Sequence, residues 1–302
     1  MNRMIYKHVV VLGIDGAGGY IQQAVTPNFD KIFENGAVTY KALASNPTIS
    51  AECWGSMIFG VAPEIHGLTN EIVSTREYSQ NDEIPSLFQR IQRAMPNAKI
   101  GSYCDWNPIT AGMIEKNVTV STATARDSEL TPMICDYIRS EKPNFLFIQF
   151  DSVDGVGHNK GYATEEYFER IGEVDILVGD VYKALDDAEM LEDTLFIVVT
   201  DHGGIDFMHG GWTDEEKYVT LALRGKSVRK TTISNANVRD ISAIALYALG
   251  IEMPAYSEDG WTSQIPVGVF MDRIEETYYD VGGGEKKKMS VSKVQHTSEE
   301  VV

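Results

Sequence analysis

HVVVLGIDG, residues 8–16, decides the fold. Its apolar run from Val9 to Ile14 does not alternate with polar residues, which is how a strand reads when both faces of its sheet are covered. The run stops at Asp15 and Gly16, residue types that end strands rather than extend them. The same grammar recurs in NFLFIQF (144–150), TLFIVV (194–199) and YVTLAL (218–223). Helical patterns with their own punctuation lie between these runs. Thr26, as an N-cap before Pro27, opens NFDKIFENG, which closes on Gly36. A long amphipathic stretch runs between Thr164 and Glu192, and NVRDISAIALYAL (237–249) is closed by Gly250. Strands alternating with helices predict an α/β fold, a three-layer sandwich with a mostly parallel central sheet.

The chain has 302 residues, room for one large α/β domain or two small ones. It shows no internal repeat and, over the first ~275 residues, no Pro-, Gly- or Ser-rich linker, so a single domain over 1–281 is expected. Residues 71–125 are less regular and could form a small lobe over the site. The tail 282–302, GGGEKKKMSVSKVQHTSEEVV, reads as flexible. Hydrophobic residues make up 43% and aromatics 10%, which excludes a disordered or fibrous chain. Lys and Arg number 26 against 44 Asp and Glu, a net charge of −18. That balance argues against a nucleic-acid duplex or an anionic membrane as partner, and an anionic substrate would need help from a bound cation. Cys53, Cys104 and Cys135 form no CxxC pair, which suits a reducing compartment. No run approaches the ~20 apolar residues of a membrane span. The apolar run near the N-terminus is short for a signal peptide, so cytoplasm is the expected location.

Residues with chemistry fall where strands should end. Asp15 follows the first strand. Asp151 and Asp154 follow NFLFIQF, with His158 four residues beyond Asp154; Asp201 and His202 follow TLFIVV, with His209 seven residues on. Ligands of open parallel sheets bind at the carboxyl ends of the strands, so these segments should converge. Any one of them alone reads as a capping aspartate or a satisfied histidine. The joint pattern weighs more: six histidines stand at positions 8, 66, 158, 202, 209 and 296, and three of them follow strand ends beside aspartates. Asp and neutral His bind Zn²⁺ or Mn²⁺, and three of each suffice for two ions. A nucleophile comes from NPTISAECWGSMIFG (46–60), where Ser50 or Thr48 caps an apolar helix through Trp54, Met57, Ile58 and Phe59. A hydroxyl there faces the free N–H groups and positive end of the helix, a place suited to a phosphoryl oxygen. Cys53 on that helix reads as packing, and His66 as a structural residue at a helix end.

Together these segments resemble the alkaline phosphatase superfamily, and within it the type I phosphodiesterase/nucleotide pyrophosphatase branch. The resemblance is carried, in order, by LGIDG (Asp15), PTISAECWGSMIFGVAPEIHG (Ser50), DGVGH (Asp154, His158), TDHGG (Asp201, His202) and HGGWTDEE (His209), across roughly residues 7–262. It implies an alkaline phosphatase-like fold and two divalent cations, zinc first and manganese as runner-up. Asp15, Ser50, Asp201 and His202 would hold one ion, and Asp154, His158 and His209 the other. Ser50 is favoured over Thr48 because the family nucleophile stands three residues after the proline, where many phosphodiesterases of the branch carry Thr. Asn70 in HGLTNE lies about one position out of register with the family asparagine that helps hold a phosphate oxygen. The spacing of DGVGH makes Asp154 the ligand and leaves Asp151 to support it.

The reaction so implied is metal-dependent hydrolysis of a phosphodiester or nucleotide pyrophosphate through a phospho-Ser50 intermediate. One cation would hold Ser50 as an alkoxide, and the other would neutralise the leaving oxygen and carry the water. After Ser50 no Arg occurs before Arg76 and no Lys before Lys99, which favours diesters over the more highly charged monoesters. Arg126 and Arg239 remain as cations that could reach the site. A phosphomonoesterase or a phosphonoacetate hydrolase-like enzyme on the same residues is the alternative, and a metal-binding scaffold without catalysis is the non-enzyme one. The expected partner is a small phosphate ester or nucleotide. A sulfatase would need a Cys/Ser-x-Pro-x-Arg signature, which the sequence lacks, and the cofactor-independent phosphoglycerate mutases need a second large domain.

Overall fold

The structure, a computed structural model, describes residues 4–75 and 84–271 and the backbone of two further strands, Glu276–Asp280 and Lys286–Ser290. Eight strands form one sheet: β1 (His8–Ile14), β2 (Ala37–Leu43), β3 (Ile100–Cys104), β4 (Ser121–Ala123), β5 (Phe145–Phe150), β6 (Thr194–Thr200), β7 (Tyr218–Arg224) and β8 (Thr231–Thr232), in the order β4-β3-β5-β1-β6-β7-β2-β8. β1 lies at the centre between parallel partners β5 and β6, while β7 runs antiparallel to both β6 and β2. The sheet is therefore mostly parallel.

The unbroken apolar runs follow from a core on each face. Val9 and Val11 enter one core, and Val10, Leu12 and Ile14 the other; Phe145 and Phe147 oppose Leu146, Ile148 and Phe150 in the same way. The first core is covered by helices Ser50–Phe59, Leu87–Ala94 and Asp240–Ala248, and the second by Pro27–Phe33, Asp127–Glu141 and Glu165–Asp187. Two helical layers around one sheet make the three-layer sandwich.

Register then builds the site. Ile14 stands opposite both Phe150 and Thr200. The next residues, Asp15, Asp151 and Asp201, leave three adjacent strands at one level, with neighbouring strands ~4.8 Å apart.

Local differences from the sequence reading have plain causes. Thr26 occupies the N-cap before Pro27 but makes no side-chain cap bond. The last core helix starts at Asp240 with Arg239 at the N-cap position and no side-chain cap bond, after a turn in which the Asn237 N–H donates to Asp240 Oδ2 and the Arg239 N–H to Asn237 Oδ1. The stretch 71–125 supplies β3, β4 and the buried Leu87, Phe88 and Ile91 to the main body; residues 76–83 within it lie outside the described residues. In the tail, Lys286–Ser290 pairs antiparallel with Glu276–Asp280, and the rest of 282–302 lies outside the described residues. Among the described residues no helix is long and apolar enough to cross a membrane.

Candidate active site

The deepest part of the site gathers Asp15, Ser50, Asp201 and His202, all buried. His202 Nε2 lies 3.2 Å from Asp201 Oδ2, 3.5 Å from Asp15 Oδ1 and 3.2 Å from Ser50 Oγ. The other atom of each group is already engaged. Asp15 Oδ2 accepts from Trp54 Nε1 at 2.9 Å and Gln149 Nε2 at 3.0 Å, and Asp201 Oδ1 accepts from the Gly16 and His202 N–H groups. His202 Nδ1 lies 3.0 Å from the Gly203 carbonyl, so it carries the proton and Nε2 presents its lone pair. Asp15 Oδ1 and Asp201 Oδ2 are buried without any hydrogen-bond partner. Burial, with Asp201 and Asp154 close by, pushes the Asp15 carboxyl well above the usual range, and burial pushes Asp201 up to about 8. Burial also pushes His202 down. Unpaired buried acceptors without a positive charge are costly, and a divalent cation suits this donor set.

Toward solvent, Asp154, His158 and His209 meet. His158 Nε2 lies 3.2 Å from Asp154 Oδ2 and 3.1 Å from His209 Nε2, and His209 Nε2 is 3.9 Å from Asp154 Oδ1. Both Nδ1 atoms face backbone carbonyls, Phe207 for His158 and Thr48 for His209. Carbonyls that fix the tautomer this way turn the other ring nitrogen into a ligand. The hydrogen bond to Asp154 raises His158 to about 9, while burial and nearby His202 lower His209. Burial pushes Asp154 up, but hydrogen bonds from His158 and Tyr162 outweigh it and hold the carboxyl well below the usual range. Asp154 also groups with Asp15 and His202, so this one carboxylate adjoins both clusters.

Ser50 is the first residue of helix Ser50–Phe59, with Ile49 at the cap position. This corrects the reading of Ser50 as the cap: the Ala51 N–H at the helix start is accepted by Asn70 Oδ1 at 2.9 Å. Asn70 thus sits beside the nucleophile candidate despite its offset in the sequence. Thr48 is occupied elsewhere, donating to the Gly211 carbonyl and accepting from the Gly210 N–H. His66 is buried against the same helix, with Nδ1 accepting from the Leu68 N–H and Nε2 beside Ser56 Oγ. Cys53 is buried with its thiol toward the Ser45 and Pro47 carbonyls. Asp151 accepts from Gln149 Nε2, while its N–H donates to Asp127. Of the two arginines, Arg126 lies 3.6 Å from Asp105, and Arg239 donates to Asn237 and Thr262. Thr262 is anchored on the Gly60 carbonyl, at the opposite end of the Ser50 helix.

Three side chains that hold the candidate site's carboxylates escaped the sequence reading: Trp54, Gln149 and Tyr162. Gln149 carried a signal, being the one polar residue of the strand Phe145–Phe150. The Trp106 N–H donates to its Oε1, which fixes the amide so that Nε2 bridges Asp15 and Asp151.

A mostly parallel three-layer sandwich with acid–histidine clusters at its carboxyl edge and a serine at a helix N-terminus defines an alkaline phosphatase-superfamily protein. The chain belongs to the type I phosphodiesterase/nucleotide pyrophosphatase family, whose model matches residues 9–238. A GPI ethanolamine phosphate transferase 2 from Aspergillus fumigatus is 24% identical over 260 residues, 80% of this chain and 33% of that protein. The ectonucleotide pyrophosphatase/phosphodiesterase C27A7.3 of Caenorhabditis elegans is 24% identical over 213 residues, 65% of this chain and 28% of that one. The chain thus spans about a third of the length of the curated relatives it matches. Murine ectonucleotide pyrophosphatase/phosphodiesterase 5 shares the fold with a TM-score of 0.70 at 14% identity, over 82% of this chain and 97% of that one. A 2-O GAG sulfatase superposes with a TM-score of 0.68 at 14% identity, over 85% and 73%.

Proposed function

We propose that this chain cleaves phosphodiester or nucleotide pyrophosphate bonds through a phosphoserine at Ser50 and a site for two divalent cations, zinc or manganese. The observation that carries the reading is the convergence of Ser50 Oγ and the His202 Nε2 lone pair on two partnerless buried carboxylate oxygens, Asp15 Oδ1 and Asp201 Oδ2. Asp15, Ser50, Asp201 and His202 would hold one ion, and Asp154, His158 and His209 the other. Bound cations supply the positive charge that makes a serine hydroxyl and a water nucleophilic and neutralises the leaving oxygen.

The chain's own residues do the rest. Ser50 gives its hydroxyl proton to water, Oγ attacks phosphorus in line, and the P–O bond to the leaving alkoxide or phosphate breaks as that group takes a proton from water; a second water then cleaves the Ser50–phosphoryl ester and restores the hydroxyl. The positive end of helix Ser50–Phe59 favours the anionic phosphoryl group beside Ser50. Asn70 Oδ1 is held by the Ala51 N–H, which leaves its Nδ2 protons for a phosphate oxygen. Trp54 and Gln149 hold Asp15 Oδ2, so that Oδ1 points inward.

Among the described residues, no Lys or Arg bonds to any of the seven proposed cation ligands, which favours a singly charged diester over a monoester. A nucleotide fits the family, and murine ectonucleotide pyrophosphatase/phosphodiesterase 5 was solved in an inactive form with AMP. A second reading, in which the phosphoryl group passes to an alcohol rather than water, draws on the relatives named GPI ethanolamine phosphate transferase 2.

Hydrolysis of bis-p-nitrophenyl phosphate beside p-nitrophenyl phosphate tests the proposal, using cation-stripped protein reloaded with Zn²⁺ or Mn²⁺. Diester cleavage restored by the cation supports it. Monoester preference would move the chain to the phosphatase reading, and two bound cations without turnover would favour the scaffold.

A further inference from the structure

Three buried tyrosines lie beneath the site, and each hydroxyl grips a different one of the converging loops. Tyr167 Oη donates to the Gly16 carbonyl after β1, Tyr20 Oη to the Gly204 carbonyl after β6, and Tyr162 Oη to Asp154 Oδ1 after β5. The rings support one another, Tyr20 on Tyr167 at 5.5 Å and Tyr162 on Tyr167 at 5.4 Å between centroids. Two of these hydroxyls hold backbone. The third holds the side chain that adjoins both acid–histidine clusters.

The Tyr162 ring has little freedom. A Cβ added at Gly157 would fall 2.5 Å from it, and so would one added at Gly204. The glycines of DGVGH and TDHGG therefore make a slot for this ring. Its N–H is fixed as well, donating to the Asp206 carbonyl at 2.7 Å. A phenol so placed can be neither swung aside nor replaced by solvent without loss of packing.

We infer that Tyr162 is a positioning residue for cation binding: by donating to Oδ1 it fixes the plane of the Asp154 carboxylate between the two clusters. This rests on the reading of Asp154 as a cation ligand. Partners of metal ligands typically set affinity by about 10- to 100-fold. Because Asp154 adjoins both clusters, the loss should touch both ions rather than one.

The test is calorimetric titration of Zn²⁺, and separately Mn²⁺, into cation-stripped wild type, Tyr162→Phe and Tyr137→Phe. Phe keeps the ring in its slot and removes only the hydroxyl. Tyr137 donates to the Ile100 carbonyl, away from the clusters, and controls for losing a tyrosine hydroxyl. The expected result is about 10-fold weaker binding of both ions in Tyr162→Phe, with wild-type affinity in Tyr137→Phe and similar melting temperatures for the two stripped variants. Wild-type affinity in a folded Tyr162→Phe would overturn the role of Tyr162 while leaving the cation reading intact. Failure of the wild type to bind either ion would overturn both.

Discussion

His158 and His209 face each other through Nε2 atoms 3.1 Å apart, each with Nδ1 turned to a backbone carbonyl. Two lone pairs cannot share that gap without a positive charge between them. In the cation-free protein a proton serves, and the hydrogen bond to Asp154 keeps it on His158 up to about pH 9. A divalent cation must displace that proton, the one that burial keeps on Asp201 up to about pH 8, and the one that burial favours on Asp15. Zn²⁺ binding at pH 7 should therefore release protons, and affinity should climb with pH until about 9. Calorimetry in buffers of differing ionisation enthalpy checks this; pH-independent affinity would contradict it.

The same groups set a stability trend. His158 and Asp201 both have folded pKa values raised above their ordinary ones, so their contribution is present at low pH and lost as pH rises through about 8 and about 9. Asp154 is shifted the other way, and its contribution is lost only on acidification below the usual carboxylate range. The gap in melting temperature between cation-loaded and stripped protein should widen as pH rises from ~6 to ~9. A gap that narrows over that range would be inconsistent with the site.

Ser50 and Thr48 should separate cleanly. Ser50→Ala is expected to cut diester hydrolysis on the order of 10⁴-fold or more while both cations stay bound. Thr48→Val removes the two hydrogen bonds that pin Gly210 and Gly211, costing roughly 1–3 kcal/mol of stability but leaving measurable turnover. Loss of both cations in Ser50→Ala would mean that the serine is structural, since Ser50 is a proposed ligand of one ion only.

Gly13 should resist enlargement. A Cβ at this position in β1 would lie 2.3 Å from the Trp54 ring, whose Nε1 holds Asp15. Gly13→Ala is expected to cost about 1–3 kcal/mol in urea unfolding. It should also weaken Zn²⁺ binding as Trp54 is pushed from Asp15. Unchanged stability would show that the ring can yield.

Much of this was readable in the chain. β1, β5, β6 and β7 announce themselves because successive side chains enter opposite cores, and the clustered aspartates and histidines stand out because they follow β1, β5 and β6. The reversal of β7 is not written in its apolar run, since direction depends on pairing with β6 and β2. β3, IGSYC, hides because small and polar residues fill its buried positions. Trp54 and Gln149 escaped because the Asp15 carboxyl they hold lies 39 and 134 residues away. The hydroxyl of Tyr162 escaped because the slot that holds its ring needs Gly204, brought from another strand end, as well as the nearby Gly157.

The most direct measurement is anomalous diffraction at the zinc edge from crystals of the Zn²⁺-loaded protein. The account predicts two peaks per chain. One should lie about 2.0–2.2 Å from Asp15 Oδ1, Asp201 Oδ2 and His202 Nε2, and the other at the same distance from Asp154, His158 Nε2 and His209 Nε2. A single peak, or zinc bound away from these residues, would contradict it.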